Sequence, residues 1–129
     1  MKATEMMNRA KFIKRGSKMV LIIDLSQLES EDARKVVERG EDIIRRMPKK
    51  SVLTLANLAN NRQSSDLERY TRQLLEHSEP HVLKVAVTGT ADKRLHAYWD
   101  RLSSSGHSNF ECFKSYEDAL GWLVNSEAA

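Results

Sequence analysis

Residues 19–23, Met-Val-Leu-Ile-Ile, contain no polar side chain, and the stretch around them, "KFIKRGSKMVLIIDL", divides at Gly16-Ser17 into two apolar-rich runs. Glycine takes the positive φ that a two-residue hairpin requires, so the pattern predicts two antiparallel strands. The second is expected to be buried on both faces, because a one-sided strand alternates with polar residues. In "LESEDARKVVERGEDIIRRMP" the spacing changes. Ala33, Val36, Val37, Ile43, Ile44 and Met47 recur every three or four residues, which predicts an amphipathic helix. Glu29, Glu31 and Asp32 open it, Arg45 and Arg46 close it against the macrodipole, and Pro48 stops it. Gly40 inside that helix costs about 1 kcal/mol of propensity relative to alanine, so it implies close packing on a sheet.

The alternation then repeats. "SVLTLANL" reads as a strand, and "SSDLERYTRQLLEHSEP" as a helix with Leu67, Tyr70, Leu74 and Leu75 on one face. "HVLKVAVTG" is the next strand, followed by a helix from about Ala91 carrying the stripe Leu95, Tyr98, Trp99 and Leu102. "NFECF" is a short strand, and "SYEDALGWLVN" a last helix burying Ala119, Leu120 and Leu123. Ser65 with Glu68, and Ser115 with Asp118, stand in capping-box positions. Strands joined by crossover helices run parallel. The expected fold is therefore α/β: one compact domain over residues 9–126, with a five-stranded, mostly parallel sheet, an antiparallel edge strand and about four helices. Residues 1–8 add no apolar face and are expected to be loose and dispensable for folding.

Length and composition fit one domain: 129 residues, 40% hydrophobic and 30% charged. The longest aliphatic run is too short to span a bilayer, and no signal-peptide pattern opens the chain, so a cytoplasmic location is expected. Cys112 alone permits no internal disulfide. The formal charge of +3 is uneven. Lys2, Arg9, Lys11, Lys14, Arg15 and Lys18 face only Glu5 in the first nineteen residues, which leaves the rest of the chain slightly acidic. Such an arm is suited to phosphates or an acidic partner, or simply to protecting a sheet edge, and the last is the preferred reading. No RNP-type aromatic pair or zinc-finger spacing accompanies it, which argues against nucleic acid.

Candidate chemistry is sparse. Gly89 stands alone in "VAVTGTADKR", whereas a Walker loop needs two glycines and then Lys-Ser/Thr, and a dinucleotide turn needs three glycines. A strand-to-helix turn with at most generic, weak anion binding is expected there. His77 and His81 are four apart, but Pro80 separates them, so no metal and no cofactor are expected. Cys112 between Phe110 and Phe113 reads as a small packed hydrophobe. Asp24-Leu25-Ser26 ends a strand where crevices form in open sheets, and Ser26 is a candidate cap for the first helix. No nucleophile elbow or paired carboxylates appear, and no enzymatic activity is expected.

In its order of elements, from the hairpin into "VLIIDLS", through "SVLTLANLAN" and "VLKVAVTGTADKRL", to "FECFKSYEDALGWLV", the chain resembles the SpoIIAA-like proteins of the STAS group over about residues 9 to 125. That group is named for sulfate transporters and anti-sigma-factor antagonists. The resemblance implies a non-enzymatic regulatory module that binds another protein. It also implies that Ser65, in Gln63-Ser64-Ser65-Asp66-Leu67, falls on the phosphoacceptor serine, with Gln63 where the motif has an acid and Asp66 where it has glycine. The alternative it implies is a carrier or sensor of a small apolar or anionic ligand, a lipid or nucleotide, at the carboxyl ends of the parallel strands. Asn57, Asn60, Asn61, Arg62, Ser64, Thr88, Gly89 and Thr90 would form that binding edge. A homodimer is a further candidate assembly.

Overall fold

In the computed structural model, which describes residues 1–59, 65–90, 93–103 and 109–125, the first hairpin turns at Gly16 with φ +60°. Strand β1 (Ala10–Arg15) pairs antiparallel with β2 (Lys18–Asp24) in a register running from Ala10 opposite Ile23 to Arg15 opposite Lys18. Parallel strands β3 (Val52–Asn57), β4 (Val82–Thr88) and β5 (Phe110–Phe113) follow, so that the sheet order is the chain order. The expected α/β fold is observed, with the antiparallel strand at one edge of a five-stranded sheet. Among the described residues five helices are present rather than about four: the addition is α1 (Ala3–Arg9), which contains no buried residue.

Sequential parallel order has a geometric consequence. Every right-handed crossover steps the same way across the sheet, so α2 (Ser30–Ile44), α3 (Ser65–Ser78) and α4 (Lys93–Leu102) all lie on one face. Their buried side chains, among them Val36, Val37, Leu74, Leu75, Leu95 and Trp99, join Leu21, Ile23, Val85 and Val87 in the larger core. Helix α5 (Tyr116–Val124) covers the other face, where Ala119, Leu120 and Leu123 pack on Val20, Ile22, Leu53, Leu55 and Ala86. Alternate residues of β2 and β3 thus serve different cores, which explains why β2 reads as an unbroken apolar run and why β3 is buried on both faces.

Local details follow from this packing. Gly40 is buried against β2, and a Cβ there would lie 2.8 Å from Ile23 Cδ1. Ser115 accepts from the Asp118 N–H at 3.0 Å and starts α5 as its spacing predicts. Helix α2 ends earlier than expected: Ile44 is its last residue and Arg45 its C-cap, with Arg45 and Asp42 paired across the final turn. The faces of α2 and α3 are joined by Glu41, whose carboxylate accepts from Gln73 Nε2 at 2.8 Å and meets His77 Nδ1. Among the described residues, no helix is long and apolar enough to cross a membrane.

Candidate functional site

The carboxyl ends of β2, β3 and β4 carry one cross-strand row of polar residues. Asp24 pairs in register with Asn57, Asn57 with Thr88, and Thr88 with Phe113. Their neighbours Ile23, Ala56 and Val87 point into the larger core, so the row itself points to the α5 side. The side chains are hydrogen-bonded in sequence. Thr88 Oγ1 donates to Asn57 Oδ1 at 3.0 Å, and Asn57 Nδ2 donates to Asp24 Oδ1 at 3.4 Å. Asn57 Oδ1 also accepts from the Ala59 N–H at 3.0 Å, which fixes the first step of the chain beyond β3.

Asp24 is the anchor of this row. Its Oδ1 accepts from the Ser26 N–H at 3.0 Å and from Ser26 Oγ at 2.6 Å, while Oδ2 lies 3.7 Å from Arg9 Nη1. Arg9 also donates to the Ser26 carbonyl at 2.6 Å. Ser26 therefore folds back on Asp24 and does not cap a helix: α2 begins four residues later, with Glu29 as its N-cap. The physical reason is proximity, since an aspartate two residues upstream offers the serine a charged acceptor before the helix starts. Tyr116, in the first turn of α5, lies beside the row. Burial pushes its phenol above the ordinary value, the Glu117 and Asp24 carboxylates push the same way, and Arg15 opposes them.

Arg9 and Tyr116 were not among the residues expected at this edge. Arg9 was nonetheless legible, because counting back from the Gly16-Ser17 turn sets it opposite Asp24. Tyr116 was not, since only the tertiary path of α5 brings it there. Of the expected edge residues, Asn57 and Thr88 belong to the row, and Gly89 and Thr90 continue directly from it. Asn60, Asn61, Arg62 and Ser64 lie outside the described residues. Ser65 begins α3, and its side chain also lies outside them.

Gly89 is held closely. Its φ is +87°, and a Cβ would come within 2.3 Å of Ala59 N and 2.5 Å of the Leu58 carbonyl carbon. The Leu58 N–H donates to the Thr88 carbonyl at 2.8 Å, and the Leu25 N–H to the Asn57 carbonyl at 2.9 Å. The three strand exits are thereby tied backbone to backbone. The anion-binding helix start expected near Ala91 falls outside the described residues.

The remaining candidates sit apart from the row. Ser30 Oγ donates to Asp66 Oδ2 at 3.1 Å, joining the starts of α2 and α3, while Glu68 pairs with Arg72 at 3.0 Å. A shallow groove of about 470 Å³ lies between α3 and α4, lined by Glu68, Arg69, Arg72, Gln73, Glu76 and Tyr98. Tyr98 there is flanked by the Arg72 and Arg101 guanidinium groups at 5.1 and 5.9 Å. Burial, reinforced by Glu76, holds its phenol above the usual value. His81 Nδ1 meets the Met47 carbonyl at 2.8 Å and so is turned away from His77, which faces Glu41. Among the described residues no three metal-ligating side chains converge. Cys112 is half-buried against the larger core.

Asn57 is the link on which the row depends. Asn57→Ala is expected to cost about 1–3 kcal/mol, because it leaves the Ala59 N–H and the buried Thr88 hydroxyl without their acceptor. Urea denaturation checks this, and a loss below about 0.5 kcal/mol would show that water replaces the amide without penalty. No family model, curated protein or solved structure matches the chain.

Proposed function

We propose that this protein is a non-enzymatic regulatory interaction module of the STAS kind, which presents the carboxyl edge of its sheet and the start of α3 to another protein. The supporting observation is the closed row Asp24–Asn57–Thr88. Its polar atoms are committed to one another and to the adjoining backbone, which favours a fixed recognition platform over a reacting centre. The Asp24 Oδ1 already accepts three hydrogen bonds, and the threonine hydroxyl is turned onto an amide rather than onto a histidine or lysine.

The STAS resemblance adds the switch. Ser65 opens α3, where the helix dipole favours added negative charge, so a phosphate there would recode the platform without unfolding it. Asp66 and Glu68 oppose such a charge, but they are already engaged by Ser30, Arg69 and Arg72. The test combines phosphopeptide mass spectrometry of the native protein with affinity capture from its own cells, using wild type, Ser65→Ala and Ser65→Asp. Wild type and Ser65→Ala are expected to retain a specific protein that Ser65→Asp binds at least about tenfold less well. An unmodified Ser65, with both variants behaving as wild type, would remove the switch.

A further inference from the structure

Strand β1 forms an outer edge of the sheet, since among the described residues β2 is its only strand neighbour and the opposite edge is β5. Six residues give it about 20 Å of strand at ~3.4 Å per residue, an ordinary length for pairing. Half of its backbone donors and acceptors therefore face outward, a template for another strand. Its side chains are distinctive. Ile13 packs toward the α5 core, so Lys11 and Arg15 share that side, whereas Phe12 packs toward the larger core with Lys14 on its side. Lys11, Lys14 and Arg15 are exposed, and Phe12 and Ile13 are half-buried. Lys18, opposite Arg15, adds a fourth cation, and Arg39 a fifth, its Nε bonded to the Ala10 carbonyl at 3.0 Å.

This charge is largely uncompensated. Among the described residues Arg15 has one ion-pair partner, Glu117 at 3.3 Å, and both side chains are well exposed, so the pair is weak. Among the described residues, no ion pair joins Lys11, Lys14 or Lys18 to a carboxylate. A second β1 laid on this edge would set cation against cation, which opposes edge-to-edge pairing of two copies. The same arrangement suits an opposite strand with acids across from Lys11, Lys14 and Arg15 and apolar residues across from Phe12 and Ile13.

We propose that the open β1 edge is a docking site for an extended acidic segment of a partner protein, which adds to the sheet as a further strand. Main-chain hydrogen bonds would hold the segment and the lysines would select it, the usual division of labour in strand addition. The edge shares no residue with the Asp24–Asn57–Thr88 row or Ser65. Failure here therefore leaves the regulatory reading standing, and failure of that reading leaves this edge intact.

The test uses the full-length protein and the synthetic peptide acetyl-TEEVVET-amide, which matches β1 in antiparallel register. Binding is expected to weaken at least about tenfold between roughly 0.05 M and 0.5 M salt, with amide exchange slowed in residues 11–15. Two peptides carrying backbone N-methyl groups on alternate residues separate strand addition from charge attraction. In a strand only one set of N–H groups faces the partner, so one peptide should lose at least about tenfold and the other stay within about twofold. The double variant Lys11→Glu/Lys14→Glu should keep its melting temperature and lose the peptide. Equal binding of both methylated peptides, or tighter binding of a DNA duplex of equal charge, would overturn the proposal, as would no binding at low salt.

Discussion

Replacing Gly89 by alanine is expected to destabilise the protein by about 2–4 kcal/mol, and replacing it by valine to prevent folding altogether. Two independent costs coincide at this residue. A φ of +87° is open to glycine but strained for any residue with a Cβ, at about 1–3 kcal/mol. The added atom would also lie 2.3 Å from the Ala59 nitrogen, where it meets backbone and not the end of a flexible side chain. Relief requires that the exits of β3 and β4 separate, which breaks the Leu58 N–H to Thr88 carbonyl bond and pulls Thr88 from Asn57. Native stabilities of about 5–15 kcal/mol leave little margin for such a loss. Urea titration of Gly89→Ala measures it directly. A variant within about 0.5 kcal/mol of wild type would mean that the turn relaxes freely and that the row is not rigid. Gly89→Val is consequently unsuited to testing anion binding at this turn, because any activity would disappear with the fold.

The same residue shows what the sequence discloses and what it withholds. A single glycine after an apolar run reads correctly as a strand-to-helix turn, since isolated Gly89 lacks the companions that phosphate loops require. Its tight approach to Ala59 is a contact between segments thirty residues apart, and no local pattern records it. The sheet was legible for the opposite reason: period and punctuation are local, and a hairpin followed by three apolar runs, each preceded by an amphipathic helix, leaves few topologies. Short elements held by distant partners were not. Helix α1 has no apolar stripe, and what holds its end is Arg9 on the Ser26 carbonyl together with half-buried Met6 on the core. Ser26 was misread as a cap because Asp24, two residues back, competes for it. Asn57 and Thr88 were expected at the binding edge by strand position alone. Their membership of one bonded row with Asp24 needed the parallel register, which sequence patterns do not specify.

Trp99→Ala is expected to cost about 3–5 kcal/mol, the largest effect of any single truncation in the helix-covered core. Trp99 is fully buried in α4, its ring stacked on Phe110 of β5 at 5.7 Å between centroids. Its indole N–H donates to Asn109 Oδ1 at 2.7 Å. Asn109 in turn donates from Nδ2 to the Leu83 carbonyl at 3.2 Å, and its own carbonyl accepts the Val85 N–H at 2.8 Å. One side chain thus fastens α4 to the entry of β5 and, through Asn109, to β4. Alanine removes the ring volume and leaves the Asn109 amide without its donor, so a cavity cost and a polar cost add. Trp99→Phe separates them: most of the apolar volume stays, the hydrogen bond is lost, and about 1–2 kcal/mol should disappear. Far-UV circular dichroism in urea measures both losses. Fluorescence supplies a second signature, because Trp122 is only half-buried and an emission spectrum left to it alone should lie to the red of wild type. If Trp99→Phe proved as damaging as Trp99→Ala, the hydrogen bond to Asn109 and not the packing of α4 would be what joins this corner of the sheet.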